Sequence, residues 1–202
     1  MPELNLPVGY YDLPEGKLVN LVTCLEMLER PDVAPVQWPE GYAIVPAHPG
    51  DLTAYRTLFK AVGQDLMWFS RLIMLDDKLT SILENPQIES LVLTKYDEPV
   101  GLLELNFADL PDCELAFFGL VPSEVGKGIG KLLMQEGLSR AWARNIKRIW
   151  VHTCHYDHPS ALSFYQKAGF VPYKLMVEVH DDPRLSGHLP YAAAQHVPLV
   201  RR

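Results

Sequence analysis

Three alternating glycines, Gly126, Gly128 and Gly130, lie between an apolar run that predicts a buried strand and a segment with helical periodicity. A strand that turns through glycines into a helix leaves backbone N–H groups pointing outward at the start of the helix. Those donors and the helix dipole attract a phosphate, and glycine lets the backbone approach the anion without a Cβ in the way. The spacing therefore indicates a phosphate or pyrophosphate site, with a helix cap and a tight turn as the structural alternative.

Two further sets of side chains could do chemistry. Glu114 stands in an otherwise apolar strand, where a carboxylate is costly unless it has a partner or a catalytic role. His152, Cys154, His155 and His158 are close in the sequence, but residues 152 and 154 share one face of a strand while residue 155 lies on the other. These four would not converge on a metal ion, so no metal site is predicted. Cys154 as a nucleophile has no activating arrangement beyond the neighbouring histidines.

The composition is that of an ordinary globular protein. The 202 residues contain 48% hydrophobic and 21% charged side chains, which suits one domain with a substantial core. A formal net charge of −7 argues against nucleic acid as a partner and favours cationic substrates. The three cysteines are far apart, and no run approaches 18 apolar residues, so we expect neither a signal peptide nor a membrane-spanning segment. We therefore expect a cytoplasmic protein with no membrane partner.

The elements that would position these residues alternate between helices and strands. Residues 17–30 carry apolar side chains at helical spacing and are followed by three prolines, so region 1–40 is interpreted as an arm with one helix. The arm would pack on the main body or on a second subunit, which leaves a homodimer open. The elements predicted after it are a strand at 42–45, helices at about 52–62 and 66–83, strands at 90–95, 100–107 and 113–120, the glycine-led helix, a strand at 148–153, a helix at 159–168, and strands at 170–173 and 175–179. This order predicts an α/β (α+β) domain over 41–180, a mixed sheet flanked by helices, with a tail at 181–202.

Two segments together resemble the GNAT superfamily, whose members transfer an acyl group from acyl-coenzyme A, usually to an amine. The family's first segment reads Arg/Gln-x-x-Gly-x-Gly/Ala, and Gly128 and Gly130 occupy its two small positions. The second typically reads Asn-x-x-Ala-x-x-x-Tyr-x-x-x-Gly-Phe, and the residues that match it are Ala161, Tyr165, Gly169 and Phe170. Val125 stands where Arg or Gln is usual, and His158 stands where Asn is usual. Because backbone amides bind most of the phosphate, Val125 removes one side-chain contact and not the site.

The resemblance implies an acetyl-CoA-dependent N-acetyltransferase and assigns roles by position. Tyr165 would protonate the departing thiolate, or else only pack along the cofactor. Glu114 would act as the general base, directly or through water, or else face solvent. Arg71 and Trp68 lie where the family often places acceptor contacts, or else belong to the core. The cofactor-binding residues that the resemblance implies are Phe118, Gly119, Leu120, Val125, Gly126, Lys127, Gly128, Ile129, Gly130, Lys131, His158 and Tyr165.

The function expected from the sequence is acetyl transfer from acetyl-CoA to a primary amine of a small molecule or protein. The amine would attack directly, in a complex that holds both substrates at once. The alternative is a non-catalytic acyl-CoA-binding sensor or scaffold on the same fold, which the departures at Val125 and His158 mildly favour.

Overall fold

Seven strands form one sheet in the computed structural model, which describes residues 7–32 and 34–200. In chain order the elements are β1 (Lys17–Met27), β2 (Tyr42–Pro46), α1 (Leu52–Gly63), α2 (Asp76–Leu83), β3 (Ile88–Lys95), β4 (Glu98–Asn106), β5 (Asp112–Leu120), α3 (Ile129–Ala143), β6 (Arg148–Cys154), α4 (Ala161–Lys167) and β7 (Val171–Asp181). The strands lie in the order β2-β3-β4-β5-β6-β1-β7. Neighbouring strands are antiparallel except for β5 and β6, which are parallel.

β1 replaces the helix that the sequence analysis predicts over residues 17–30, and that prediction is wrong. The strand lies between β6 and β7, and its residue Val22 pairs with both neighbours. Part of β1 is covered on both faces, so the strand carries apolar residues there without the alternation of a half-exposed strand. Cys24 and Leu25, adjacent in the chain, are both buried. Apolar residues on both faces of a strand give a sequence pattern similar to that of the apolar face of a helix.

The segment after α1 is helical over only part of the predicted stretch 66–83. A three-ten turn covers Gln64–Leu66, and α2 begins only at Asp76. Met67 has a φ of 60°, a left-handed conformation that ends the turn. Residues 67–75 therefore form a loop beside the sheet instead of a continuous helix.

Helices cover both faces of the sheet. Leu102 and Leu103 are neighbours in β4, are both fully buried, and belong to different apolar clusters. Leu103 packs with residues of α3 and α4, such as Leu133, while Leu102 packs with residues of α1 and α2, such as Phe59 and Leu79. The predicted mixed sheet flanked by helices is confirmed.

Buried Arg184 holds the segment after β7 together by bonds within that segment. Its guanidinium donates to Asp182 and to the carbonyl oxygens of Ala193, Val197 and Pro198 at 2.8–3.4 Å. The same segment adds apolar side chains to a third cluster, which also contains residues of the loops after α1 and β6. Residues 182–200 are therefore an ordered part of the structure, although their sequence shows little periodicity.

We predict that Leu25→Ala lowers the free energy of unfolding by about 3 kcal/mol, because it leaves a cavity in the middle of the sheet. Leu25 is 0% exposed, whereas Leu21 on the same strand is 51% exposed. Leu21→Ala is the matched control and should change stability by less than about 1 kcal/mol. Urea unfolding of both variants measures the difference. Equal, small effects would contradict the position of β1 inside the sheet.

Candidate functional site

β5 and β6 pair only at their first residues and then diverge. The ladder between them ends at Glu114 and Trp150, whereas β5 continues beside β4 to Leu120 and β6 continues beside β1 to Cys154. A cavity of about 1120 Å³ lies where the two halves of the sheet separate. Backbone groups that face this gap lack a ladder partner, so they are available to a polar ligand.

A β-bulge lies on β5 beside the gap. Leu115 pairs with Leu105 and Phe117 pairs with Glu104, so Ala116 between them has no partner on β4. A bulge bends the strand and turns backbone groups out of the ladder. Ala116, Phe117 and the following residues of β5 line the cavity.

The glycine loop has the geometry of an anion site. Gly126 and Gly128 both have a φ of +82°, and a Cβ built on either would meet no atom within 4 Å. Within the described residues, none of the backbone N–H groups from Gly126 to Gly130 donates a hydrogen bond. They stand at the start of α3, a helix of 15 residues whose dipole favours negative charge at this end. The open space above the loop and the free N–H groups fit a phosphate or pyrophosphate.

Glu124 fixes the loop just before these glycines. Its buried carboxylate accepts hydrogen bonds from the hydroxyl of Tyr42 at 2.5 Å and from the amines of Lys95 and Lys127 at 3.1 Å. The hydrogen bond from Tyr42, followed by those from the lysines, lowers the pKa of Glu124 to about 2. The sequence analysis missed this residue, whose partners on β2 and β3 are distant in the chain.

The cavity wall contains most of the residues that the resemblance assigns to the cofactor. Those that line it are Phe118, Gly119, Leu120, Val125, Gly126, Gly128, Gly130, Lys131, His158 and Tyr165. Two others lie elsewhere. Lys127 forms an ion pair with Glu124, and the side chain of Ile129 is buried in the core. Ile129 can therefore offer only its backbone N–H to an anion.

His158 makes the local contacts expected of a residue that begins a helix. Its ring nitrogen Nδ1 accepts from the N–H of Ser160 at 3.2 Å and lies 2.7 Å from the Ser160 hydroxyl. An asparagine side chain commonly makes the same kind of hydrogen bond two residues ahead. The substitution of His for the usual Asn is therefore compatible with the turn that leads into α4.

The cavity has two parts, which we name by their walls. The glycine loop and α4 line the part that we call the donor half, and residues 65–71, β1 and β7 line the part that we call the acceptor half.

Glu114, on β5, lines the cavity and accepts a hydrogen bond from Asn106 Nδ2 at 3.3 Å. Burial raises the pKa of Glu114, and neighbouring His152 partly offsets the shift. A carboxylate in such surroundings binds a proton more readily than usual, as a general base does.

Tyr165 projects from α4 into the same cavity. The residue is 7% exposed, and its ring lies 6.2 Å from that of Phe118 and 6.0 Å from that of Phe170. Burial, followed by the charge of Asp157, raises the pKa of Tyr165 above its ordinary value. The phenol therefore keeps its proton across the neutral range, and the raised pKa makes it a weaker acid than a free phenol.

Arg71 lies in the acceptor half but is already paired. Its Nη2 donates to Glu104 at 2.5 Å, and the other oxygen of that carboxylate accepts from Ser90 at 2.6 Å and Tyr55 at 3.2 Å. Glu104 is 1% exposed and Arg71 is 9% exposed. The guanidinium charge is therefore neutralised within the protein, which leaves Arg71 a weaker candidate for binding an anionic group of an acceptor.

Trp68 is held by Asp157 across the cavity. The indole Nε1 donates to Asp157 at 3.3 Å, and the ring packs at 5.3 Å from Phe117. The other carboxylate oxygen of Asp157 accepts from Thr153 and from the backbone N–H of Cys154. Burial and the charge of Asp157 raise the pKa of the Cys154 thiol to about 11, so this cysteine is not an activated nucleophile.

The sequence analysis missed Glu104 and Asp157, which hold Arg71 and Trp68 in the wall of the acceptor half. Glu104 carried the same signal as Glu114, since it is a carboxylate within an apolar strand. Asp157 lies in a turn, where aspartate is a common residue and gives no sign of a functional role. Its role depends on Trp68, which comes from a distant part of the chain.

Neither a cluster of metal ligands nor a membrane-spanning helix occurs in the part of the chain that the structure describes. No three side chains of His, Cys, Asp or Glu come together there as metal ligands. No helix there combines the length and the apolar surface that crossing a bilayer requires.

A family model matches the central part of the chain. The model described as "Acetyltransferase (GNAT) family" matches residues 55–170, more than half of the chain. This stretch contains the glycine loop, Glu114 and Tyr165. No curated protein matches the sequence.

The fold is similar to solved structures of low sequence identity. A GCN5-related N-acetyltransferase from Sphaerobacter thermophilus has a TM-score of 0.62 and 18% identity over 81% of this chain, and one from Kribbella flavida has a TM-score of 0.55 and 17% identity over 85%. This chain spans only 52% of the first protein and 63% of the second. The ribosomal-protein-S18-alanine N-acetyltransferase from Escherichia coli has a TM-score of 0.54 and 12% identity, with 70% of this chain and 94% of that protein covered. At these identities the likeness concerns the fold alone.

We predict that Gly128→Val weakens the binding of coenzyme A by about 10-fold or more, because its side chain fills the space above the loop and disfavours a φ of +82°. Gly187→Val is the matched control, since Gly187 also has a positive φ of +77° and open surroundings but does not line the cavity. It should leave the affinity unchanged. Calorimetric titration with coenzyme A compares the two. Parental affinity in a folded Gly128→Val protein would contradict an anion site at the loop.

Proposed function

Because the chain belongs to the GNAT acetyltransferase family, we propose that it transfers an acetyl group from acetyl-CoA to a primary amine of a small molecule or protein. One observation carries the proposal. The glycine loop, with its free N–H groups, opens onto the same cavity as a carboxylate and a phenol that can accept and donate protons. Anion binding at one end and proton transfer in the middle are the two requirements of this reaction.

The residues present fit coenzyme A. The N–H groups of Gly126 to Gly130 would hold its pyrophosphate at the start of α3, with Lys131 adding positive charge. The aromatic side chains of Phe118 and Phe164, stacked at 5.5 Å, would flank the rest of the cofactor. When bound, acetyl-CoA supplies an activated acetyl group as a thioester.

Glu114 and Tyr165 are proposed as the two groups that handle protons. Glu114, with its pKa raised by burial, would accept the proton of the attacking amine, directly or through water. Tyr165, which keeps its phenol proton, would give it to the departing sulfur. Both would act in one complex that contains donor and acceptor together, since Cys154 is not activated to carry the acetyl group.

A non-catalytic acyl-CoA sensor or scaffold is the alternative function. Calorimetry with acetyl-CoA and an assay of coenzyme A release in the presence of an amine library separate the two. Release that depends on an amine supports the enzyme. Tight binding of acetyl-CoA with no release for any amine would favour the sensor, and a failure to bind would contradict both.

The expected partners follow from the same proposal. The acceptor is an amine, and neither nucleic acid nor a membrane is proposed as a partner. A cytoplasmic location and a homodimer remain predictions of the sequence analysis. Fractionation of cells and light scattering of the purified protein test them.

We predict that Tyr165→Phe lowers kcat by about 100-fold with little change in coenzyme A affinity, because the ring stays and only the proton is lost. Since burial raises the pKa of Tyr165, the parent keeps this proton over about pH 6 to 9, and the deficit should be the same throughout. Tyr173→Phe is the control, since the Tyr173 side chain is exposed and does not line the cavity. A Tyr165→Phe protein as fast as the parent would remove Tyr165 from the mechanism.

The Glu114→Gln variant should behave differently, with a deficit that depends on pH. We expect the largest loss of rate near about pH 6, where few amines are free and a base matters most, and a smaller loss near about pH 9. Rate profiles of parent and variant over this range measure the change. A deficit that does not shrink as pH rises would leave Glu114 with a structural role.

A further inference from the structure

We propose that the acceptor is a diamine or polyamine, and that Asn20 and Glu178 bind its second cationic nitrogen at the far end of the acceptor half. This inference rests on the proposed function, because it names the substrate class of the same cavity. It is carried by an amide oxygen without a hydrogen-bond partner, a carboxylate without an ion pair among the described residues, and the charge of the cavity wall.

Asn20 presents a buried oxygen without a partner. The residue lies on β1, lines the cavity and is 4% exposed. Its Nδ2 donates to Glu178 Oε2 at 2.9 Å, whereas its Oδ1 accepts no hydrogen bond from any described residue. Turning the amide around would place its oxygen against the carboxylate, so the orientation is fixed. A buried acceptor without a donor is costly, and an N–H group of a ligand would satisfy it.

Glu178 supplies the negative charge at this end. It forms no ion pair with any lysine or arginine of the described residues. Nearby, the ring of His180 lies 5.6 Å from that of Phe69 and 6.2 Å from that of Tyr156, and all three line the cavity. Aromatic rings beside a carboxylate suit an alkyl chain that ends in an ammonium group.

The remaining charges favour the same ligand. Among the described residues, Arg71 and Lys131 are the only lysine or arginine side chains that line the cavity. Arg71 is neutralised by Glu104, and Lys131 lies in the donor half. Asp65 adds a further carboxylate to the acceptor half. This half is therefore negative and attracts cations.

The position of Asn20 indicates a long acceptor. Asn20 lies two strands away from β5 and four residues along β1 from Cys24, which pairs with His152. The distance between neighbouring strands and the rise per residue along β1 place Asn20 on the order of 15 Å from Ala116. Ala116 forms the bulge and lies two residues from Glu114, the proposed base. One nitrogen would lie at the reacting centre while the other reaches Glu178, so a longer diamine fits better than a short one.

The test compares octylamine, diaminooctane and diaminobutane as acceptors by their kcat/KM values. We expect the parent to prefer diaminooctane to octylamine by about 10-fold or more, as a charged hydrogen bond is added, and to prefer it to diaminobutane. Glu178→Gln should lose about 10-fold on diaminooctane and nothing on octylamine. Asn20→Leu, which removes the unpaired oxygen, should lose on the same substrate.

Asp181→Asn is the matched control, since Asp181 lies on the same strand but pairs with Lys17 and does not line the cavity. It should leave both values unchanged. Equal use of octylamine and diaminooctane, or an unchanged ratio in Glu178→Gln, would overturn the proposal while acetyl transfer stands. Calorimetry of diaminooctane with protein saturated with coenzyme A gives a readout without turnover. Diamine binding that needs Glu178, with no acetylation of any amine, would support the second-nitrogen site and overturn the proposed function.

Discussion

A carboxylate enclosed within the protein holds the acceptor half of the cavity together. Glu104 receives hydrogen bonds from Arg71, Ser90 and Tyr55, which belong to the loop after α1, to β3 and to α1. Burying this charge without its partners would cost several kcal/mol, so the contacts depend on one another. The loop that carries Trp68 has no regular structure of its own. The ion pair with Glu104 therefore anchors this loop on the sheet and sets the shape of the wall that an acceptor would meet.

The divergence of β5 and β6 places two opposite electrostatic environments in one cavity. The donor half presents free N–H groups at the positive end of α3, whereas the acceptor half presents carboxylates and an amide oxygen. An anionic cofactor and a cationic acceptor would each be attracted to its own half and repelled from the other. Tyr165 and Glu114 line the same cavity.

The features that the sequence reveals are those that depend on local order. The glycine loop could be predicted because a turn and the first residues of a helix are consecutive in the chain. β1 could not, because its burial on both faces follows from the order of the strands and not from residues 17–30 themselves. Asn20 escaped notice for the same reason, as its partner Glu178 is distant in the chain. The catalytic roles of Glu114 and Tyr165 stay predictions, and the structure places both side chains in the wall of one cavity.

The insertion of β1 between β6 and β7 also constrains how the chain folds. β1 precedes every other described strand, yet its partners are the last two, so that Leu18 pairs with His180. Contacts between residues so far apart close a very long loop, and proteins rich in such contacts fold slowly. Until β7 is available, β1 has an unpaired edge and is exposed to association with other chains. We expect completion of the sheet to be a late step in folding, so the wall that β6 and β1 give the cavity would form only when nearly the whole chain is in place.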